Sequence, residues 1–354
     1  MHKNMKNAWI YFFIHMFVEI VCFAALSAKY EISVGQAAVI GLLYDVLAFC
    51  PQFLFGMLHE RFKKLDMGSI GTVAMLLGLI ILDHGNYSIR SILGITLIAL
   101  GNAVIHVCGA VSTVSTGGGR LFPSALFVGG GSFGVIIGQT MGSMGMSKWF
   151  LLIPLALIEV LILMTNKDWL NAEIKYPRYS ITDKNVSMAV IVAVAFLVTM
   201  TRSYLGYAIP ISWKKELWQA FLLFFAMGIG KAAGGWLADR IGALKTALIT
   251  IIGSIPFLIF GEDIMVISII GVFLFSMTMS LTFGMLLSVI NDNPGLAFGV
   301  TTTALAFGVI PKFFLDFDKI VNIFIIVAGS LICAVLMYKT LDKKEEKRDG
   351  TETV

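Results

Sequence analysis

Among the ionisable side chains inside otherwise apolar runs of this sequence, six stand out: Glu19, Asp45, His106, Glu159, Arg202 and Lys231. Placing such a group in hydrocarbon costs about 2.5 to 3.5 kcal/mol on insertion scales, so those that remain face a cavity or a partner. A carboxyl in that setting can take up and release a proton, which is the elementary act of coupling to a proton gradient. Glu19 and Asp45 are the candidates, although each also fits a fixed structural ion pair. His106 titrates in the useful pH range, and a hydrogen-bonding role inside its helix fits it as well. Arg202 and Lys231 are the two cations of the set. Opposite acids they would suit an anionic or zwitterionic solute; as a gate residue and a helix anchor they would serve structure instead.

The runs that carry these groups are about 20 residues long, the length an α-helix needs to cross a bilayer core. With 58% hydrophobic residues, 14% charged residues and a mean hydropathy of +0.87, the chain is far more apolar than a soluble domain. Reading from one charge cluster to the next gives twelve segments, at 8–27, 33–57, 67–83, 91–115, 122–141, 148–165, 186–209, 215–238, 243–260, 263–287, 295–315 and 320–338. The longest polar connection, from Asn166 to Asn185, divides them six and six. The expected organisation is therefore a helical bundle over 1–165, a linker over 166–185, a second bundle over 186–338 and a solvated, disordered tail over 339–354. At about 1.5 Å per residue, Glu19 and Asp45 fall near mid-membrane, Arg202 in the outer third and Lys231 toward the cytoplasmic third.

An even number of spans puts both termini on one side, and most of the 26 Lys and Arg then fall on that side, which is the cytoplasmic one. The first apolar run is long enough to span and has no small-residue cleavage site, so it reads as a retained helix. Cys22, Cys50, Cys108 and Cys333 lie inside apolar runs without metal-ligand or redox spacing and read as packing residues. No metal site or cofactor motif is indicated, and the dispersed basic residues give no footprint for nucleic acid. The same lack of a nucleophile–base set or a metal-ligand set argues against an intramembrane enzyme.

One local pattern occurs twice. After the second segment the chain reads Gly56-Met-Leu-His-Glu60-Arg61-Phe-Lys63, and after the eighth Gly235-Trp-Leu-Ala-Asp239-Arg240-Ile-Gly242, close to half of the 354 residues further on. A glycine in a last helical turn lets a neighbouring helix approach, and an acid–base pair beside it can latch two helix ends. A basic cluster serving only as a membrane anchor is the alternative. In the fifth segment Gly130, Gly134 and Gly138 share a face at intervals of four. That ridge fits tight helix packing, and it also fits a sliding surface between the two halves.

The repeated pattern resembles the loop signature G-x-L-a-D-R-x-G-R-K of the major facilitator superfamily. The second copy matches at Gly235, Leu237, Ala238, Asp239, Arg240 and Gly242, and the first at Gly56, Leu58 and Arg61, with Glu60 for the Asp and Lys63 for the Gly. About 40 residues also resemble that superfamily's fosmidomycin-resistance branch: Gly101 to His106, then Gly117-Gly-Gly-Arg120, then the glycine-rich stretch from Phe127 to Gln139. Here Ser132 stands for that branch's Asn, Gln139 for its Pro, and no Pro-Glu follows His106. The resemblance carries over the fold rather than that branch's drug-efflux role.

What it implies is an all-α protein of twelve transmembrane helices in two six-helix bundles, related by an axis along the membrane normal. It implies a monomeric secondary transporter of a bacterial plasma membrane, moving a small organic solute with protons by alternating access. A receptor or assembly subunit on the same fold remains the alternative. In that superfamily the first span lines the cavity, which favours Glu19 over Asp45 for the proton, while the sixth tends to face lipid, which makes Glu159 a packing or snorkelling residue.

Overall fold

A computed structural model of the chain describes residues 3–28, 33–169 and 175–343. Residues 170–174 of the expected linker and 344–354 of the expected tail lie outside the described residues. The first half holds α1 (Lys3–Leu26), α2 (Val34–Phe49), α3 (Gln52–Arg61), α4 (Met67–Ile81), α5 (Ile89–Thr116), α6 (Phe122–Ser143) and α7 (Leu152–Trp169). The second holds α8 (Met188–Ala208), α9 (Leu217–Ile241), α10 (Ala243–Phe260), α11 (Met265–Met277), α12 (Met279–Leu287), α13 (Pro294–Val309) and α14 (Lys319–Thr340). Because α2 with α3 and α11 with α12 are interrupted single spans, the chain crosses twelve times, six per half. Eleven of these spans are long and apolar enough to cross a membrane, and the third, α4, is the shorter apolar helix that its run of residues predicts.

The interruptions have physical causes. Pro51 has no N–H to continue the ladder, so α3 restarts at Gln52. No proline marks the break at Thr278. There the Thr278 hydroxyl donates to the carbonyl of Phe275 at 3.0 Å, and the guanidinium of Arg202 donates to the same oxygen. Helix starts are set by short polar side chains: Asp66, Ser88, Asn293 and Asp318 each accept from the backbone N–H three residues on, at 3.0, 3.2, 2.9 and 2.9 Å. Each such cap stabilises its helix by about 1 kcal/mol.

Small residues decide which helices touch. The ridge Gly130, Gly134 and Gly138 faces α1, in its own half; a Cβ at Gly138 would lie 2.7 Å from the carbonyl of Ile20. It is thus a packing seam within the first bundle, and the close contacts between halves are made by other glycines. A Cβ on Gly129 of α6 would lie 2.7 Å from the carbonyl of Gly228 on α9, and one on Gly56 of α3 would collide with the backbone of Gly295 on α13.

Gly56 and Gly235 mark one end of the bundle, here called the motif end. The start of α1 is there too, with the Asn7 amide donating to the Ser112 hydroxyl at 3.3 Å, and so is the end of α14, where the N–H of Asp183 meets the carbonyl of Thr340 at 2.9 Å. The described part of the linker crosses this end. The Tyr176 hydroxyl donates to Glu60 Oε2 at 2.9 Å, that of Tyr179 to the carbonyl of Arg120 at 3.2 Å, and the N–H of Asp342 to the carbonyl of Ile181 at 3.0 Å.

Candidate functional site

His15 and Glu19 are four residues apart on α1 and therefore share a face; Asn102 and His106 do the same on α5. The two faces meet inside the first bundle. His15, Glu19 and His106 are all buried, at 7%, 6% and 5% exposure. Gly131 makes the room, since a Cβ there would lie 2.6 Å from His15 Cε1. Each imidazole is oriented by a backbone carbonyl: His15 Nδ1 lies 2.9 Å from the oxygen of Phe127, and His106 Nδ1 lies 3.0 Å from that of Asn102. The Nε2 atoms then face one another at 2.8 Å, with Glu19 Oε1 3.5 Å from that of His15 and 3.4 Å from that of His106. Glu19 Oε2 is buried and has no hydrogen-bond partner among the described residues. Behind it, the Asn102 amide donates to the Tyr44 hydroxyl at 2.7 Å.

The second half supplies a cation and a wall. Lys231 of α9 donates from Nζ to the Ser132 hydroxyl of α6 at 2.9 Å, across the interface, and lies within electrostatic reach of Glu19 and both histidines. Phe298 of α13 stacks on His106 with ring centroids 6.4 Å apart and sits 5.9 Å from Phe127 and 5.3 Å from Phe283. A narrow cleft of about 10 Å³, roughly the room of one water, lies beside them between the halves, lined by Ser124, Val128, Lys231, Ser280, Phe283 and Thr301 among others. An acid and two imidazoles on one side, a cation on the other and an aromatic face between them can bind a small polar molecule and exchange a proton with it.

The structure thus brings Glu19, His106 and Lys231 together. His15, which no motif singled out, completes the group; its spacing of four from Glu19 was the available signal. The other candidates stand apart. Asp45 looks toward Lys312, which lies over the Tyr207 ring at 4.1 Å in the second half. Arg202 is buried in the second bundle with its guanidinium 3.8 Å from the centroid of the Phe275 ring, holding the break in the tenth span. Glu159 accepts from the Ser69 hydroxyl at 2.7 Å and ties the sixth span to the third.

In the repeated motif, Asp239 accepts from the N–H groups of Leu121 and Phe122 at 2.8 and 2.9 Å, at the start of α6 in the other half. Arg240 lies over the ring of Trp236, 4.2 Å from its centroid. Glu60 receives Tyr176 and pairs with Lys63, and Arg61 lies 5.7 Å from the centroid of the Phe62 ring.

No family model matches the chain. Over 258 residues it is 22% identical to the fosmidomycin resistance protein of Escherichia coli strain K12, an alignment covering 66% of this chain and 63% of that protein. In three dimensions it is similar to the fucose:proton symporter of E. coli, with a TM-score of 0.63 and 14% identity over 95% of this chain and 98% of that one. The chain accordingly has the major facilitator fold, twelve helices in two six-helix bundles, and is an integral membrane protein.

Proposed function

We propose that the chain is a secondary active transporter that moves a small organic solute by alternating access, driven by protons, with both termini in the cytoplasm of a bacterial cell. The observation that carries this reading is the buried group of Glu19, His15 and His106 facing Lys231 across the boundary between the halves. An uncompensated carboxyl oxygen in a buried site is costly. A group that changes protonation during a cycle accepts that cost in one state and relieves it in another. The names of the two similar proteins, a resistance protein and a proton symporter, agree with transport of a small molecule, and the fold is built for rocking of two halves about a central site.

Glu19 is the coupling carboxyl in this reading, and Lys231 meets an acidic or zwitterionic part of the solute. Asp45 is second for the proton, and Arg202 serves the helix break. The test is transport by protein reconstituted in liposomes, using a solute chosen by thermal stabilisation across amino acids, organic acids, sugars, nucleosides and drugs. Wild type concentrates that solute when a pH gradient is imposed. Glu19→Gln loses the gradient-driven accumulation and keeps solute exchange. Accumulation by the variant would move the role to Asp45, and indifference of the wild type to the gradient would remove proton coupling.

A further inference from the structure

The ring nitrogens of His15 and His106 make three close contacts: each Nδ1 to a backbone carbonyl, at 2.9 and 3.0 Å, and Nε2 to Nε2 at 2.8 Å. A carbonyl oxygen only accepts, so each Nδ1 must carry a proton to make its bond. Two neutral imidazoles bring two protons, and both are then spent. The two Nε2 atoms would be left as two acceptors at hydrogen-bond distance with no proton between them. Moving either proton to Nε2 only transfers the conflict to an Nδ1 facing a carbonyl. Turning a ring over replaces an Nδ1–H donor with a C–H.

We infer that the His15–His106 pair holds one extra proton, shared between the two Nε2 atoms, with the Glu19 carboxylate as its counter-ion. This refines the proton-coupled reading above: Glu19 is needed for coupling as the counter-ion that holds the proton on a pair of imidazoles on two helices, rather than as the group that carries it, and the inference rests on that reading only for its role in transport. Among the groups packed around the pair, Glu19 is the anion at 3.4 and 3.5 Å and Lys231 is the opposing cation from α9. Tyr44 from α2, Cys22 from α1 and Asp45 stand behind Glu19, α6 contributes the neutral Ser132, and α13 contributes Phe298.

With the proton bound, an imidazolium and Lys231 face one carboxylate, and the cleft has a positive charge to offer a solute anion. With the proton gone, Lys231 and Glu19 compensate each other. Protonation and affinity for an anionic group are thereby linked, each favouring the other. A divalent metal at the same three atoms is the rival occupant. At metal–nitrogen distances of about 2.0 to 2.1 Å, a tetrahedral site sets its ligand atoms roughly 3.3 Å apart, so the observed Nε2 separation suits a shared proton better.

The test counts protons on nitrogen. In lipid nanodiscs near neutral pH, ¹⁵N-histidine-labelled protein should show three protonated nitrogens across His15 and His106, with a coupling between the two Nε2 signals. Glu19→Gln should lose the third proton, and His106→Asn should leave His15 with one. A count of two in the wild type would overturn the inference, as would a spectrum that changes on chelator treatment together with stoichiometric bound metal. A count of three in a protein whose transport ignores the pH gradient would keep this inference and discard the proton-coupled function. A count of two with coupling lost in Glu19→Gln would do the reverse.

Discussion

The two copies of the loop motif do the same job at one residue and different jobs at two others. Gly56 and Gly235 both let helices from opposite halves touch: α3 meets α13 at Gly295, and α9 meets α6, where a Cβ on Gly235 would lie 3.0 Å from the carbonyl of Leu121. The acids diverge. Asp239 reaches across to cap the start of α6, adding its charge to the positive end of that helix. In the first copy the equivalent target, the start of α13, is capped by its own Asn293, and Glu60 turns to Tyr176 of the linker. The turns diverge as well. Gly242 has φ +91° and ψ 154°, a conformation that essentially only glycine adopts, and it joins α9 to α10 by itself. With Lys63 at the matching place, the chain takes residues 62–66 to pass from α3 to α4. A repeat can thus keep its helix contact while its latch and its turn drift apart.

That comparison breaks first at Gly56. Gly56→Ala puts a methyl into backbone that cannot give way, and should disfavour closure of the motif end by about 1–3 kcal/mol. Thiol probes at the motif end would react faster than in wild type, and an unchanged rate would show that Gly56 and Gly295 part readily. Next comes Gly242→Ala, which forces an L side chain into a glycine conformation and should lower stability by about 1–3 kcal/mol, read as a lower Tm. Lys63→Gly in the other copy should leave Tm within the scatter of surface changes, about 0.5 kcal/mol. Equal responses would erase the distinction between the turns.

Asp239→Asn removes the charge from an exposed latch and should shift the ratio of closed to open by about five-fold, near 1 kcal/mol. Unchanged accessibility of cysteine probes on both faces would count against it. The smallest effect belongs to Tyr176→Phe, at or below about 1 kcal/mol. Burial, and then the bond to Glu60, push the Tyr176 hydroxyl well up, so it stays a donor at physiological pH. The contribution of this linker contact should therefore be the same at mildly acid and mildly alkaline pH, and a change in probe rates across that range, absent in Tyr176→Phe, would contradict it.

The spans were legible because hydrophobic length is a one-dimensional property, and the short third segment is matched by the shorter α4. The cation–acid pairing of Lys231 with Glu19 was less so, since depth along a helix says nothing about how far a lysine stem reaches; Lys231 extends to Ser132 on a neighbouring helix. His15 sat in plain view four residues before Glu19, but its significance depends on the approach of α5, a tertiary fact. The periodicity of Gly130, Gly134 and Gly138 marked a contact face without naming its partner. The break at Thr278 has no proline to announce it and depends on Arg202 from α8. Pairings between distant helices are what a linear pattern withholds.

At Gly242 both flanking peptide groups are tied, its N–H to the carbonyl of Ala238 at 3.0 Å and its carbonyl to the N–H of Thr246 at 3.2 Å. With no slack bond left to turn about, α9 and α10 form a stiff elbow, and any tilt of one arm loads the other with torque. Lys231 rides on the longer arm, about 16 Å from the joint by helical rise, so tilting the whole elbow about the joint by a few degrees moves the ammonium by roughly an ångström. The carboxylate it faces sits on α1, outside that elbow. In the proposed transport cycle, rocking of the halves would carry the second half's charge as a lever relative to the carboxylate of the first.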